Sequence, residues 1–156
     1  MKRVSLVFLI LFSLLQLSAG SSEKTLLTLK YQITAIGEIS LAYRLQSLTM
    51  SLAAAKAVDS GYISAILDET DATIENGKSA ILAKNTAPDA LTKEIISAFD
   101  TLLKCSENIK KYSAANGRTG NGEVEKCLEE SRKNIDKLTD MYNKTQNKNK
   151  GDGVKK

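Results

Sequence analysis

Two cysteines, Cys105 and Cys127, and no histidine in 156 residues set bounds on the chemistry open to this chain. A zinc site takes four ligands from Cys, His, Asp or Glu, and two thiols without an imidazole make half a set. A dithiol redox centre holds its thiols two residues apart as C-x-x-C, whereas 21 residues separate these two. A catalytic thiol needs a base beside it, usually His. Ser-His-Asp triads, His-ligated metals and His general bases fall with the same absence. What is left is a Cys105–Cys127 disulfide made in an oxidising compartment, joining two antiparallel helices across one loop. Cys105 lies farther from that loop than Cys127, so the bridge needs an asymmetric loop or an offset between the helices.

The carboxylates offer less. Asp68, Glu69, Asp71 and Glu75 gather in one stretch, but helical spacing spreads them around a surface. Gly77 falls seventh from Asp71, where a calcium loop places its glycine sixth. The glycines of Asn116-Gly117-Arg118-Thr119-Gly120-Asn121-Gly122 follow no strand and read as a turn, not a phosphate cradle. These residues point to a non-enzyme with no metal and no cofactor. Asn143-Lys144-Thr145 is an N-glycosylation sequon. From within it to the end of the chain, Lys144, Lys148, Lys150, Lys155 and Lys156 offer a weak, salt-dependent contact to polyanions or anionic surfaces.

The compartment follows from the first twenty residues. Lys2 and Arg3, the apolar run Val4 to Leu17, and Ser18-Ala19-Gly20 give the charged, apolar and small parts of a secretory leader in order. Spanning a bilayer takes about 20 apolar residues, more than this run supplies. We therefore expect residues 1–20 as a signal peptide, a secreted chain from Ser21 onward and no transmembrane segment after its removal. Lys2 and Arg3 leave with the leader, so the 22 basic and 18 acidic side chains become 20 and 18, a net charge of +2. Five Lys and one Asp from Asn143 onward carry +4, so the body to Tyr142 stands near −2. The basic character is thus a property of residues 143–156, which carry no apolar period and read as a disordered Lys-rich tail.

Residues 21–142 read as one all-α domain, since a single proline interrupts a chain rich in Ala, Leu, Lys and Glu. Leu91, Ile95, Ala98, Leu102, Cys105, Ile109 and Tyr112 step by four and three without a miss, and Ile96, Phe99 and Leu103 widen that face. Pro88 and Asp89 mark the start, with Pro in the first turn and an acid at the positive end of the dipole. The last helix is lined by Val124, Cys127, Leu128, Ser131, Ile135, Leu138 and Tyr142, with Asn121 as its N-cap. Ile63, Ile66, Leu67, Thr70, Ile74, Gly77 and Ile81 keep helical spacing straight through Asn76-Gly77, a pair that otherwise signals a hairpin.

The first region, about Glu23 to Val58, carries two stripes: Ile33, Ile36, Tyr43, Met50, Ala54 and Ala57, and Leu41, Leu45, Leu48, Leu52 and Ala55. That doubling predicts a central, well-buried helix. Residues 27–33 alternate like a strand, and a helix of 36 residues would run about 54 Å, so Gly37 is a natural place for a kink. Four helices with short connections predict an up-and-down four-helix bundle. Three functions fit such an object: a secreted protein that binds an unknown extracellular protein, a carrier of a small apolar ligand between helices, and a polyanion binder acting through the tail. No feature points to specific nucleic-acid recognition.

Overall fold

In the computed structural model, the backbone is described for residues 3–84 and 88–152, and side chains for 27–84, 88–145 and 147. Four helices account for it: α1 (Arg3–Ala54), α2 (Ser60–Lys84), α3 (Ala90–Ala114) and α4 (Asn121–Asp152). Met1–Tyr31 form one compact unit and Gln32–Lys156 a second. The first is the opening of α1, and the leader expected at residues 1–20 falls where side chains are not described. The second is the bundle.

Antiparallel pairing of neighbours is visible in cross-helix contacts. Lys78 meets Asp100 while Lys110 meets Asp68 and Asp71, which runs α2 against α3. Lys137 meets Glu94 while Cys127 meets Cys105, which runs α3 against α4. Gln32 reaches Thr92 and Gln46 reaches Ser106, so α1 and α3 run parallel, as up-and-down order requires. The interior holds two apolar clusters. One gathers Ala35, Ile36, Ile39 and Ala42 of α1 with Ile74, Ile81, Leu91, Ile95, Phe99, Leu102 and Leu138. The other joins Ile63, Leu67, Ile109, Tyr112 and Val124. Between them lie Gln46, Thr70, Ser106 and Ser131, all buried.

Helix ends follow local chemistry. Asp59 caps α2 by accepting the Tyr62 amide at 2.8 Å, and Asp89 caps α3 by accepting the Thr92 amide at 2.7 Å. Pro88 therefore precedes the cap instead of occupying the first turn; Thr86 and Ala87, beside it, lie outside the described residues. Both α1 and α3 end in Schellman geometry. Ala57 N–H donates to Leu52 and Gly117 N–H to Tyr112, with Lys56 (φ 52°) and Asn116 (φ 53°) in the left-handed position. Asn121 is the first residue of α4, one position inside its expected cap, and its side-chain amide donates to Glu125 at 2.7 Å.

Three expectations need correcting. α1 passes through Gly37 without a break, and residues 27–33 are helical: among the described residues there is no strand for that segment to pair with, and the helix continues on both sides of it. The helix of α4 continues to Asp152, past the boundary expected at Asn143: no proline intervenes, Lys and Gln tolerate helix well, and the Thr145 hydroxyl bonds back to the Met141 carbonyl at 2.9 Å. The third concerns which face of α1 is buried.

Candidate functional site: the outward face of α1

α1 enters the bundle through neither of its two apolar stripes as a whole. Its buried line is Gln32, Ala35, Ile36, Ile39, Ala42, Gln46 and Thr49, three of them polar. Ala35 and Ala42 are buried in the larger apolar cluster. The Gln46 amide donates to the Leu102 backbone carbonyl and to the Ser106 hydroxyl, both at 2.8 Å. At the other end Gln32 donates to both Asp89 carboxylate oxygens, at 3.1 and 3.0 Å, and to the Thr92 hydroxyl at 3.0 Å. The cap of α3 is thereby tied to α1. Burial pushes the Asp89 carboxyl up, but donors from Thr92, Gln32 and Leu91 outweigh it and hold the group below its ordinary value.

Because that polar line is inside, the leucine stripe is outside. Leu41 is 56% exposed, Leu48 58% and Leu45 38%, and Leu52 is half-buried. Ile33, at 45%, lies on the edge of the same face. The steps from Leu41 to Leu45, Leu48, Leu52 and Ala55 are four, three, four and three, the spacing of a helix seam that packs against another helix. Charge is sparse along it: between Glu38 and Lys56 the only charged residue is Arg44. Glu38 itself turns toward α2, where its carboxylate covers Gly77, and burial raises its pKa.

Cys105 and Cys127 are buried and bridged with Cα atoms 5.5 Å apart, inside the usual range. The offset between them is taken up in the connection 115–120, where Asn116, Gly117 and Gly120 all have positive φ and Tyr112 packs beneath Gly117. Asp68 and Asp71 converge on one cation, the Lys110 ammonium, each at 2.7 Å; Glu69 and Glu75 are exposed and stand apart from it. That ammonium is held above its ordinary pKa, the two carboxylates outweighing burial. Among the described residues no group of three His, Cys, Asp or Glu side chains could hold a metal, and no helix is long and apolar enough to cross a membrane.

A groove of about 560 Å³ between α3 and α4 is lined by Asp100, Lys104, Lys111, Glu123, Lys126 and Glu130 among others, which suits polar solvent and not an apolar cargo. Asn143 and Lys144 are exposed on α4. The side chains of Lys148 and Lys150, and Lys155 and Lys156 entirely, lie outside the described residues.

The residues that the sequence left unmarked as a site are therefore Leu41, Leu45 and Leu48, which it assigned to the core. A signal was present: a helix with two broad apolar stripes has more apolar surface than one place in a four-helix bundle can cover. No family model, curated protein or solved structure matches this chain.

Proposed function

We propose that this is a secreted, non-enzymatic helical protein that works by binding another protein through the outward face of α1. The observation that carries the proposal is the exposure of Leu41 and Leu48, 56% and 58%, on a seam with helix-pairing spacing, while the equivalent stripes of α2, α3 and α4 are turned inward. An apolar face of that kind costs solubility unless something covers it. Secretion is supported by the order of charged, apolar and small residues at the N-terminus and by a disulfide that requires an oxidising compartment. The groove beside α3 and α4 gives the apolar-carrier reading no comparable support, being lined by charged groups.

Two experiments test the proposal. N-terminal sequencing of the protein secreted by cells expressing the whole reading frame is expected to begin near Ser21. Immobilised wild-type protein is expected to retain a partner from the natural extracellular fluid, and a Leu41→Ser/Leu48→Ser variant to lose it. Equal retention by both would remove α1 from the function.

A further inference from the structure

We infer that the outward seam of α1 pairs with the same seam of a second copy of this chain, in antiparallel orientation about a two-fold axis near residues 46 and 47. The inference rests on the reading of that face as a binding surface and names its partner.

Spacing, area and charge carry it. Ile33, Leu41, Leu45 and Leu48 together expose roughly 350 Å² of apolar side chain, the size of the largest patch on a typical monomer. Doubling it across a two-fold axis, and adding the exposed Gly37, Ser51, Ala55 and the stem of Arg44, gives on the order of 1,000 Å², the size of a weak, reversible interface. A two-fold interface must be complementary to itself, and this one is. With the axis at residues 46 and 47, Leu41 of one copy meets Leu52 of the other and Leu45 meets Leu48, so each of the four leucines of the seam faces a leucine.

The orientation follows from the few charges present. A parallel pair would set the two Arg44 guanidinium groups at one height and the two Lys56 ammonium groups at another. The antiparallel pair sets Arg44 level with Thr49 of the other copy and Lys56 level with Gly37, so like charges are kept apart, and it opposes the two helix dipoles. Gly37 fits the same arrangement. A Cβ added there would meet nothing within 4 Å in one copy, so packing within the bundle gives no reason for a glycine in mid-helix. Close approach by the end of a second α1 supplies one.

The test is sedimentation equilibrium on the protein as secreted, from about 1 μM to 1 mM, for wild type, Leu41→Ser/Leu48→Ser and, as a control on α2, Leu82→Ser. A dimer at the modest area above is expected to form at roughly micromolar to tens of micromolar concentration. The double variant is expected to stay monomeric throughout with unchanged helical circular dichroism, and the control to behave as wild type. Spin labels at Lys56→Cys in the dimer are expected about 30 Å apart, from the 1.5 Å rise per residue. A wild-type monomer at 1 mM, a dimer that the double variant preserves, or labels closer than about 20 Å would each overturn the inference. A wild-type monomer whose α1 seam still captures an extracellular partner would overturn self-pairing and leave the proposed function standing.

Discussion

The side-chain amide of Gln46, buried in the middle of α1, donates to the backbone carbonyl of Leu102 on α3 at 2.8 Å. One side of Gln46 is thus fully engaged, since the same nitrogen also reaches the Ser106 hydroxyl, whereas its Oε1 is buried without a hydrogen-bond partner among the described residues. A half-satisfied amide of this kind fixes how α1 sits on α3 without contributing much net stability. Gln46→Met should therefore cost under about 1 kcal/mol, because it keeps the volume and removes the orphaned oxygen. Gln46→Ala should cost about 2–3 kcal/mol by opening a cavity. Urea titrations of the two variants check this; a Met variant as damaged as the Ala variant would mean that the hydrogen bonds dominate.

Reduction should lower the melting temperature of the native protein, with about 3 kcal/mol of stability lost on a chain-entropy estimate for a loop of this size. Cys105 is 0% and Cys127 5% exposed. Thiol reagents should accordingly label neither residue without both reductant and denaturant, as read by mass spectrometry.

Two helical glycines should respond oppositely to alanine. At Gly37 an added Cβ meets nothing within 4 Å, so Gly37→Ala should stabilise the monomer by about 0.5–1 kcal/mol through helix propensity. At Gly77 the Cβ would run into the Glu38 carboxylate and lie 3.0 Å from the Phe99 ring, so Gly77→Ala should destabilise. Thermal melts at low micromolar concentration, taken side by side, test both signs.

Acid stability should be shaped by two carboxyls with opposite effects. Asp89 has a folded-state pKa below its unfolded value, so its contribution is complete above about pH 4 and is lost as pH falls through the folded value. Asp89→Ala should cost about 1 kcal/mol at pH 7 by removing the cap, and less in acid. Glu38 has a folded-state pKa raised by burial, so the native form holds its proton more tightly and its ionisation becomes a cost as pH rises above the unfolded value. Glu38→Gln should therefore raise the melting temperature at pH 7 and leave it unchanged near pH 4; an equal effect at both would contradict the sign.

Much of this fold was legible because α2, α3 and α4 each carry one apolar stripe, and a single stripe can only point inward. Leu91 to Tyr112 on α3 and Ile63 to Ile81 on α2 are buried where their spacing put them. The disulfide was legible for a different reason: without histidine, two distant cysteines have few other uses. α1 was not legible in the same way. Its inner line is marked by Gln32 and Gln46, whose burial depends on partners supplied by α3, the Asp89 cap and the Leu102 carbonyl, that no feature of α1 announces, and by Thr49, whose hydroxyl donates back to the Leu45 carbonyl of α1 itself. Hydrophobic count alone favoured the leucines, and hydrogen-bond satisfaction reversed it.

The claim that the leucine face of α1 is a binding surface and not part of the core is tested most directly by one paired measurement on Leu41→Ser/Leu48→Ser. Its unfolding free energy should match wild type to within about 1 kcal/mol at low micromolar concentration, where surface substitutions act weakly, while retention of the extracellular partner is abolished. A loss of about 4 kcal/mol or more, the scale of two buried leucines, or undiminished partner retention by a stable variant, would contradict the account.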